Sequence, residues 1–156
     1  TQAVPAIAAL GVAAELATQE MNDETPRLMG LRDRLFDLLA DCPCLESTGD
    51  RLYRLPHHVS FILSDRFYRQ APDITGKTIV RQLNLAGIGI SAGSACHSGK
   101  LNPSPILLAM GYSPVAAKRG IRLTLGRDTV KADIDWTAMV LKQVLCRLIP
   151  PLVCCG

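Results

Sequence analysis

Ser91 to Lys100 reads SAGSACHSGK and places one thiol (Cys96), one imidazole (His97) and one amine (Lys100) among serines, alanines and two glycines. The thiolate is the reactive form of cysteine, and neighbouring basic groups favour it over the thiol. Cys96, beside His97 and near Lys100, is therefore a candidate nucleophile. Its small, polar neighbours could not be buried without leaving hydrogen-bonding groups unpaired. The stretch predicts an exposed loop rather than a core thiol.

Two other chemistries fit this stretch poorly. A phosphate loop needs Gly, four residues, then Gly-Lys-Ser/Thr, because successive backbone N–H groups wrap the phosphate oxygens. Counting from Gly93, Ser98 stands where the second glycine belongs, and Leu101 follows Lys100. A metal corner at Cys96–His97 would need adjacent residues to aim at one ion, with no second ligand pair nearby. APDITGKT (residues 71–78) also imitates a phosphate loop. Yet Ala71 lacks glycine's freedom, Pro72 has no N–H to donate, and no strand ends directly before it. It reads instead as a helix capped at Thr75.

The remaining cysteines, Cys42, Cys44, Cys146, Cys154 and Cys155, fall at helix ends, on a helix face or in the tail, and read as structural. Neither the Cys-Pro-Cys nor the Cys-Cys pair has the C-x-x-C spacing of a zinc site. The pattern is unlike a secreted disulfide framework, so a reducing, cytoplasmic location is expected. Arg122 lies in IRLTLGR, alternating with Ile121 and Leu123, which puts it on the opposite sheet face from them. It serves either as a solvated strand charge or as a carboxylate clamp, since guanidinium grips carboxylate by two parallel hydrogen bonds. His57 and His58 read as the start of a strand.

The elements that must position these groups follow from periodicity. Residues 3–20 are alanine-rich with helical spacing. Asn22, Asp23 and Thr25 predict a break, and Pro26 opens a second helix running to about Asp41. STGDR (47–51) reads as a turn, HVSFIL (58–63) as a half-buried strand and residues 64–73 as a polar loop. A helix follows from Thr75 through Leu85, and then GIGISAG as a short strand entering the cysteine loop. Pro105 and Ser113 open two brief helices. Residues 120–126 make a strand, and Asp133 begins a last helix reaching about Leu148. This order implies an α+β fold: a short three- or four-stranded sheet covered by helices on one side.

The 156 residues suit a single domain spanning 1–156, and an apolar fraction of 48% supports a core. A formal net charge of +3, from 17 basic and 14 acidic residues, with few aromatics, argues against nucleic acid. No apolar run approaches the roughly 20 residues of a membrane span. The chain starts at Thr1 without a signal segment and reads as cut from a longer one.

Four stretches carry a resemblance. SAGSACHSG resembles the active-cysteine loop of cysteine desulfurases of the NifS/IscS type, within the class V aminotransferase family, where the usual form is Ser-Ser-Gly-Ser-Ala-Cys-Thr-Ser. LNPSPILLAMGYS, IRLTLGRDTVKADID and TQAVPAIAALGVAAE resemble the segments around it. The loop is similar to that of the longer-loop branch. His97 replaces the usual Thr, Ala92 a Ser and Thr124 a Ser.

The resemblance implies the small C-terminal domain of a fold-type I pyridoxal-phosphate enzyme, with the large cofactor-binding domain outside the sequence. It also implies a chemistry, L-cysteine to L-alanine with the sulfur left as a persulfide on Cys96, within a loop that includes Gly93, Ser94, Ala95 and His97. Arg122 corresponds to the substrate-carboxylate arginine, and Thr1 to a threonine that reaches the cofactor phosphate of a neighbouring subunit. The implied enzyme is a homodimer that hands sulfur to an acceptor or scaffold protein for iron–sulfur cluster or thio-cofactor assembly. The family's Schiff-base lysine follows a Ser-x-His pair, and none of Lys77, Lys100, Lys118, Lys131 and Lys142 has that context. The polypeptide alone is therefore expected to be inactive, to bind no pyridoxal phosphate and to self-associate through apolar surface. A selenocysteine lyase, a cysteine sulfinate desulfinase and a non-enzymatic sulfur-carrier module are the alternatives.

Overall fold

The structure, a computed structural model, describes residues 2–93 and 102–148. Along them run α1 (Val4–Leu38), β1 (Leu45–Ser47), β2 (His58–Leu63), α2 (Asp65–Gln70), α3 (Gly76–Leu85), α4 (Pro105–Ala109), α5 (Pro114–Ala117), β3 (Gly120–Thr124) and α6 (Lys131–Leu148). The strands form an antiparallel sheet in the order β1-β2-β3, with Leu45 opposite Leu63 and Ser60 opposite Arg122. The fold is α+β, as the order of elements predicts.

Alternation in β2 and β3 sorts the two faces. Val59, Phe61, Leu63, Ile121 and Leu123 point into the main core. They meet Leu35 and Phe36 of α1, Ile79 and Leu83 of α3, and Leu141 and Leu145 of α6. Burying each such side chain stabilises the fold by about 1.5–3 kcal/mol. On the other face, Ile62, Leu107 and Ala117 form a small second cluster where α4 and α5 lean on the sheet.

Four local expectations are corrected. The break at residues 22–25 does not occur: α1 runs through it with Pro26 inside. A proline deprives the carbonyl four residues earlier of its donor, here Asn22, and both residues are exposed to water. Arg27 fastens this turn. It grips the Glu24 carboxylate at 2.8 Å twice and donates to the carbonyls of Thr129, Gly126 and Arg127 at 2.7, 3.1 and 2.9 Å. The polar loop at 64–73 contains α2, because the Ser64 hydroxyl accepts from Phe67 N and the Phe67 ring is fully buried. GIGISAG makes only an isolated bridge from Ser91 to Arg122. The short strand β1 begins just before the STGDR turn.

Elsewhere the capping signals hold. Thr78 Oγ1 accepts from Thr75 N at 3.3 Å at the start of α3, and Asp133 Oδ2 accepts from Val130 N at 2.9 Å ahead of α6. The glycine of APDITGKT has a packing reason. A side chain at Gly76 would overlap the carbonyl oxygen of Gly120 and press on Ala92 Cβ at 3.2 Å. Cys42 and Cys44 are buried in the main core, and Cys146 packs against it. Among the described residues, no helix is long and apolar enough to cross a membrane, and no group of three or more His, Cys, Asp or Glu could hold a metal.

Candidate functional site

Arg122 occupies the middle of β3, opposite Ser60, on the sheet face turned away from the main core. Its backbone exchanges two hydrogen bonds with Ser91, Arg122 N to Ser91 O at 2.7 Å and Ser91 N to Arg122 O at 2.9 Å. Its half-buried guanidinium has no hydrogen-bond or ion-pair partner among the described residues. Two residues beyond Ser91, Gly93 takes a positive φ of 69°. That left-handed turn suits glycine, and it redirects the chain at the start of the cysteine loop.

Arg122 and Gly93 line a pocket of about 370 Å³, within the range of small-molecule sites. Its polar side carries Arg54, His58, Ser60 and Thr48, and its apolar wall is Ile106, Leu107 and Met110. The polar side is built by the segment between β1 and β2. Asp50 accepts from Leu52 N at 2.6 Å and Tyr53 N at 2.9 Å, which turns the chain. Arg54 then donates to the carbonyls of Asp50 at 2.9 Å, His58 at 3.3 Å and Thr48. Its guanidinium also lies over the Phe36 ring, 4.8 Å from the centroid. Arg54 is thus committed to holding its own segment, while the Arg122 donors meet no partner among the described residues. Ser60 Oγ and Thr48 Oγ1 share a hydrogen bond of 2.5 Å across the β1–β2 end of the pocket.

The electrostatics favour an anion. Burial pushes the His58 imidazole below its ordinary range, and the nearby charges of Arg54 and Arg122 and then His57 add to this. Two guanidiniums therefore face the pocket beside an imidazole biased to the neutral form. The acid in the lining, Asp50, is satisfied by its own turn, whose N–H groups hold it below the usual carboxylate range. A small carboxylate with an apolar portion matches this pattern: bidentate recognition at Arg122, apolar contact with α4.

The sequence-derived sites divide in two. Arg122 and Gly93 are brought together in the pocket. Cys96, Ser94, Ala95, His97 and Thr1 lie outside the described residues. His58, Ser60 and Arg54 were not singled out by motif. A parity signal was available, because His58 and Ser60 share the non-core face of β2 and Ser60 pairs with Arg122. The described residues do not by themselves fit pyridoxal phosphate. Among the described residues no lysine lines the pocket, and the acid, Asp50, is occupied by backbone N–H groups. The pocket offers an anion site rather than a cofactor seat.

Comparison with known proteins gives consistent results. The chain is 38% identical over 149 residues to a cysteine desulfurase of Gluconacetobacter diazotrophicus, covering 95% of the chain and 35% of that protein. It is 39% identical over 145 residues to an IscS-type cysteine desulfurase of Archaeoglobus fulgidus, covering 93% and 36%. The chain thus spans about a third of the length of these curated relatives. Among solved structures, a NifS-like protein superposes with a TM-score of 0.72 at 24% identity, over 95% of this chain and 34% of its own. A second, from Rickettsia africae, gives 0.75 at 22% identity, over 92% and 35%. These two likenesses establish the fold. No family model matches the chain.

Proposed function

Because the chain belongs to the NifS/IscS-type cysteine desulfurases, as a segment about a third of their length, we propose that it is the small C-terminal domain of such an enzyme, 1–156 forming one domain, and that it carries the sulfur-accepting cysteine and the substrate-carboxylate arginine. The observation behind this reading is the pairing of Arg122 with Ser91. It sets a guanidinium with no partner among the described residues beside the start of the loop that holds Cys96. Two residues lie between Gly93 and Cys96, so their Cα atoms, three steps apart along the chain, can be no more than about 11 Å apart. A thiolate on that tether can meet a substrate whose carboxylate rests on Arg122.

In the net reaction the Cβ–S bond of L-cysteine breaks and an S–S bond forms at Cys96 Sγ. A proton takes the place of sulfur on Cβ, giving L-alanine and a protein persulfide with atoms and electrons balanced. Arg122 orients the substrate by its carboxylate, and the α4 wall keeps water from one side of it. Pyridoxal phosphate is held by the part of the enzyme beyond this chain, and the persulfide passes to an acceptor protein for iron–sulfur cluster or thio-cofactor assembly. The intact enzyme is read as a cytoplasmic homodimer.

The test is a chimera in which this chain replaces the corresponding third of the Gluconacetobacter diazotrophicus relative. The expected result is alanine formed from L-cysteine and a persulfide mapped to Cys96, both lost in Cys96→Ser, while the chain alone with pyridoxal phosphate makes no alanine. A folded, cofactor-loaded chimera whose persulfide forms equally well without Cys96 would sink the reading.

A further inference from the structure

His58 is the pocket group that the proposed reaction leaves unused. It sits diagonally from Arg122 across the β2–β3 ladder: Ser60 faces Arg122 directly, His58 faces Thr124, and all four share the face away from the main core. Diagonal neighbours in an antiparallel pair stand about 7–8 Å apart at Cα, within reach of long side chains. The His58 ring is half-buried in the pocket wall.

We propose that His58 is a second recognition group for the bound anion, taking up a proton when a carboxylate seats on Arg122. This rests on the reading of Arg122 as the carboxylate site. Among the described residues, the charged and titratable groups around His58 are Asp50, Tyr53, Arg54 and His57 from the segment before β2, and Arg122 from β3. The facing residues Ile106 and Leu107 of α4 and Met110 just after it bring no charge. Burial and two guanidiniums oppose a positive charge on His58, and Asp50 is engaged with its own turn. A carboxylate at Arg122 reverses the local balance. Its charge offsets one guanidinium and gives the imidazolium N–H an acceptor. By linkage, a proton that binds more tightly in the complex makes the anion bind more tightly at lower pH. His58 thereby favours carboxylates over neutral ligands of the same shape, and the more so as pH falls.

The experiment uses this chain, with propionate as the probe. The His58 ring and the Arg122 side chain are followed by NMR from pH 8 to pH 5. Propionate is expected to perturb the Arg122 guanidinium and to move the His58 titration upward. Each unit of that movement corresponds to about a tenfold gain in propionate affinity on acidification. In His58→Asn the pH dependence of propionate affinity between pH 8 and pH 6 is expected to disappear. If propionate perturbs Arg122 while the His58 titration stays put, the proposal is overturned and Arg122 keeps its role. If the Arg122 guanidinium does not respond to propionate at all, the carboxylate-site reading itself fails and the His58 proposal falls with it.

Discussion

Ser91 and Arg122 exchange both backbone hydrogen bonds, at 2.7 and 2.9 Å, although 31 positions of sequence separate them. This bridge ties the start of the cysteine loop to the middle of β3. Ser91 gains a fixed partner in an otherwise irregular segment, and Gly93 turns the chain two residues later. The strand that carries Arg122 and the residues that lead into the cysteine loop therefore share one backbone support.

That arrangement makes Arg122 separable from stability. Its guanidinium has no partner among the described residues, so Arg122→Lys is expected to leave the melting temperature nearly unchanged. In the chimera the same change replaces a bidentate contact with a point charge and removes a charge-assisted bond of about 1.5–3 kcal/mol. The expected outcome is a fall in kcat/KM for L-cysteine of about ten- to a hundredfold, carried mainly by KM. Arg54→Lys should do the reverse in the isolated chain: it gives up three carbonyl contacts and the Phe36 face and lowers the melting temperature.

Cysteine reactivity gives a second check. Cys42 and Cys44 are 2% and 1% exposed in the main core, so reagents reach them only through opening of the fold. Cys96 lies in a polar run whose sequence predicts exposure. Alkylation near neutral pH, mapped by peptide mass, should label Cys96 well before Cys42 and Cys44. Labelling of Cys42 or Cys44 first would mean that the loop thiol is shielded and cannot serve as acceptor in this chain.

Much of this was legible in the sequence because short-range rules decided it. HVSFIL alternates cleanly and became β2. Thr75 and Ser113 mark helix starts that the structure keeps, and Asp133, read as the start of the last helix, lies in the first turn of α6, which begins two residues earlier at Lys131. Arg122 was placed on the correct face by parity alone. The misreadings share one cause, a distant contact outweighing a local signal. Asn22, Asp23 and Thr25 ahead of Pro26 predict a break, but Arg27 reaches about a hundred residues along the chain to the carbonyls of Gly126, Arg127 and Thr129 and fastens the helix there. Residues 64–73 look polar, yet Phe67 is drawn into the core and winds α2 behind Ser64. The pocket was invisible for the same reason. Arg54 and His58 become neighbours of Arg122 only through the β2–β3 pairing, and no local motif announces that register.

Gly76 provides a test of packing. A Cβ there would overlap Gly120 O, a backbone atom that cannot swing aside, where α3 enters against β3. Gly76→Ala should lower stability by about 1–3 kcal/mol, as overpacking does. Gly11→Ala is the control: this glycine sits in exposed α1 with nothing within 4 Å, and alanine there should add about 0.5–1 kcal/mol. Urea titration of both variants checks the contrast.

The first half of α1 predicts association. Residues 2–19 are exposed all round, including Val4, Ile7, Leu10, Val12 and Leu16. A helix apolar on every side is ordinarily covered by other protein. In the isolated chain, sedimentation should show mass rising with concentration, and deleting residues 1–18 should restore a monomer. A monodisperse monomer at high concentration would contradict this.

Asp65 and Arg119 make the final test. Arg119 is 2% exposed, stacks on Tyr68 and donates to Ser64 O at 3.1 Å and to Asp65 Oδ1 at 2.6 Å. The hydrogen bond from Arg119, helped by its charge, holds the Asp65 carboxyl below the usual range. A carboxyl depressed in the folded state stabilises the fold above its unfolded pKa, about 3.9, and that contribution is lost as pH falls through the lower folded value. Asp65→Asn should therefore melt below the parent at pH 7, and the gap should close as both proteins are taken from pH 5 down toward pH 2. Because Asp65 is largely exposed, the gap at pH 7 should be small beside that of Arg119→Met, which strips the Ser64 carbonyl and the Tyr68 ring of their buried partner. A gap that stays constant with pH would show that the ion pair contributes nothing and that Asp65 acts only at the start of α2.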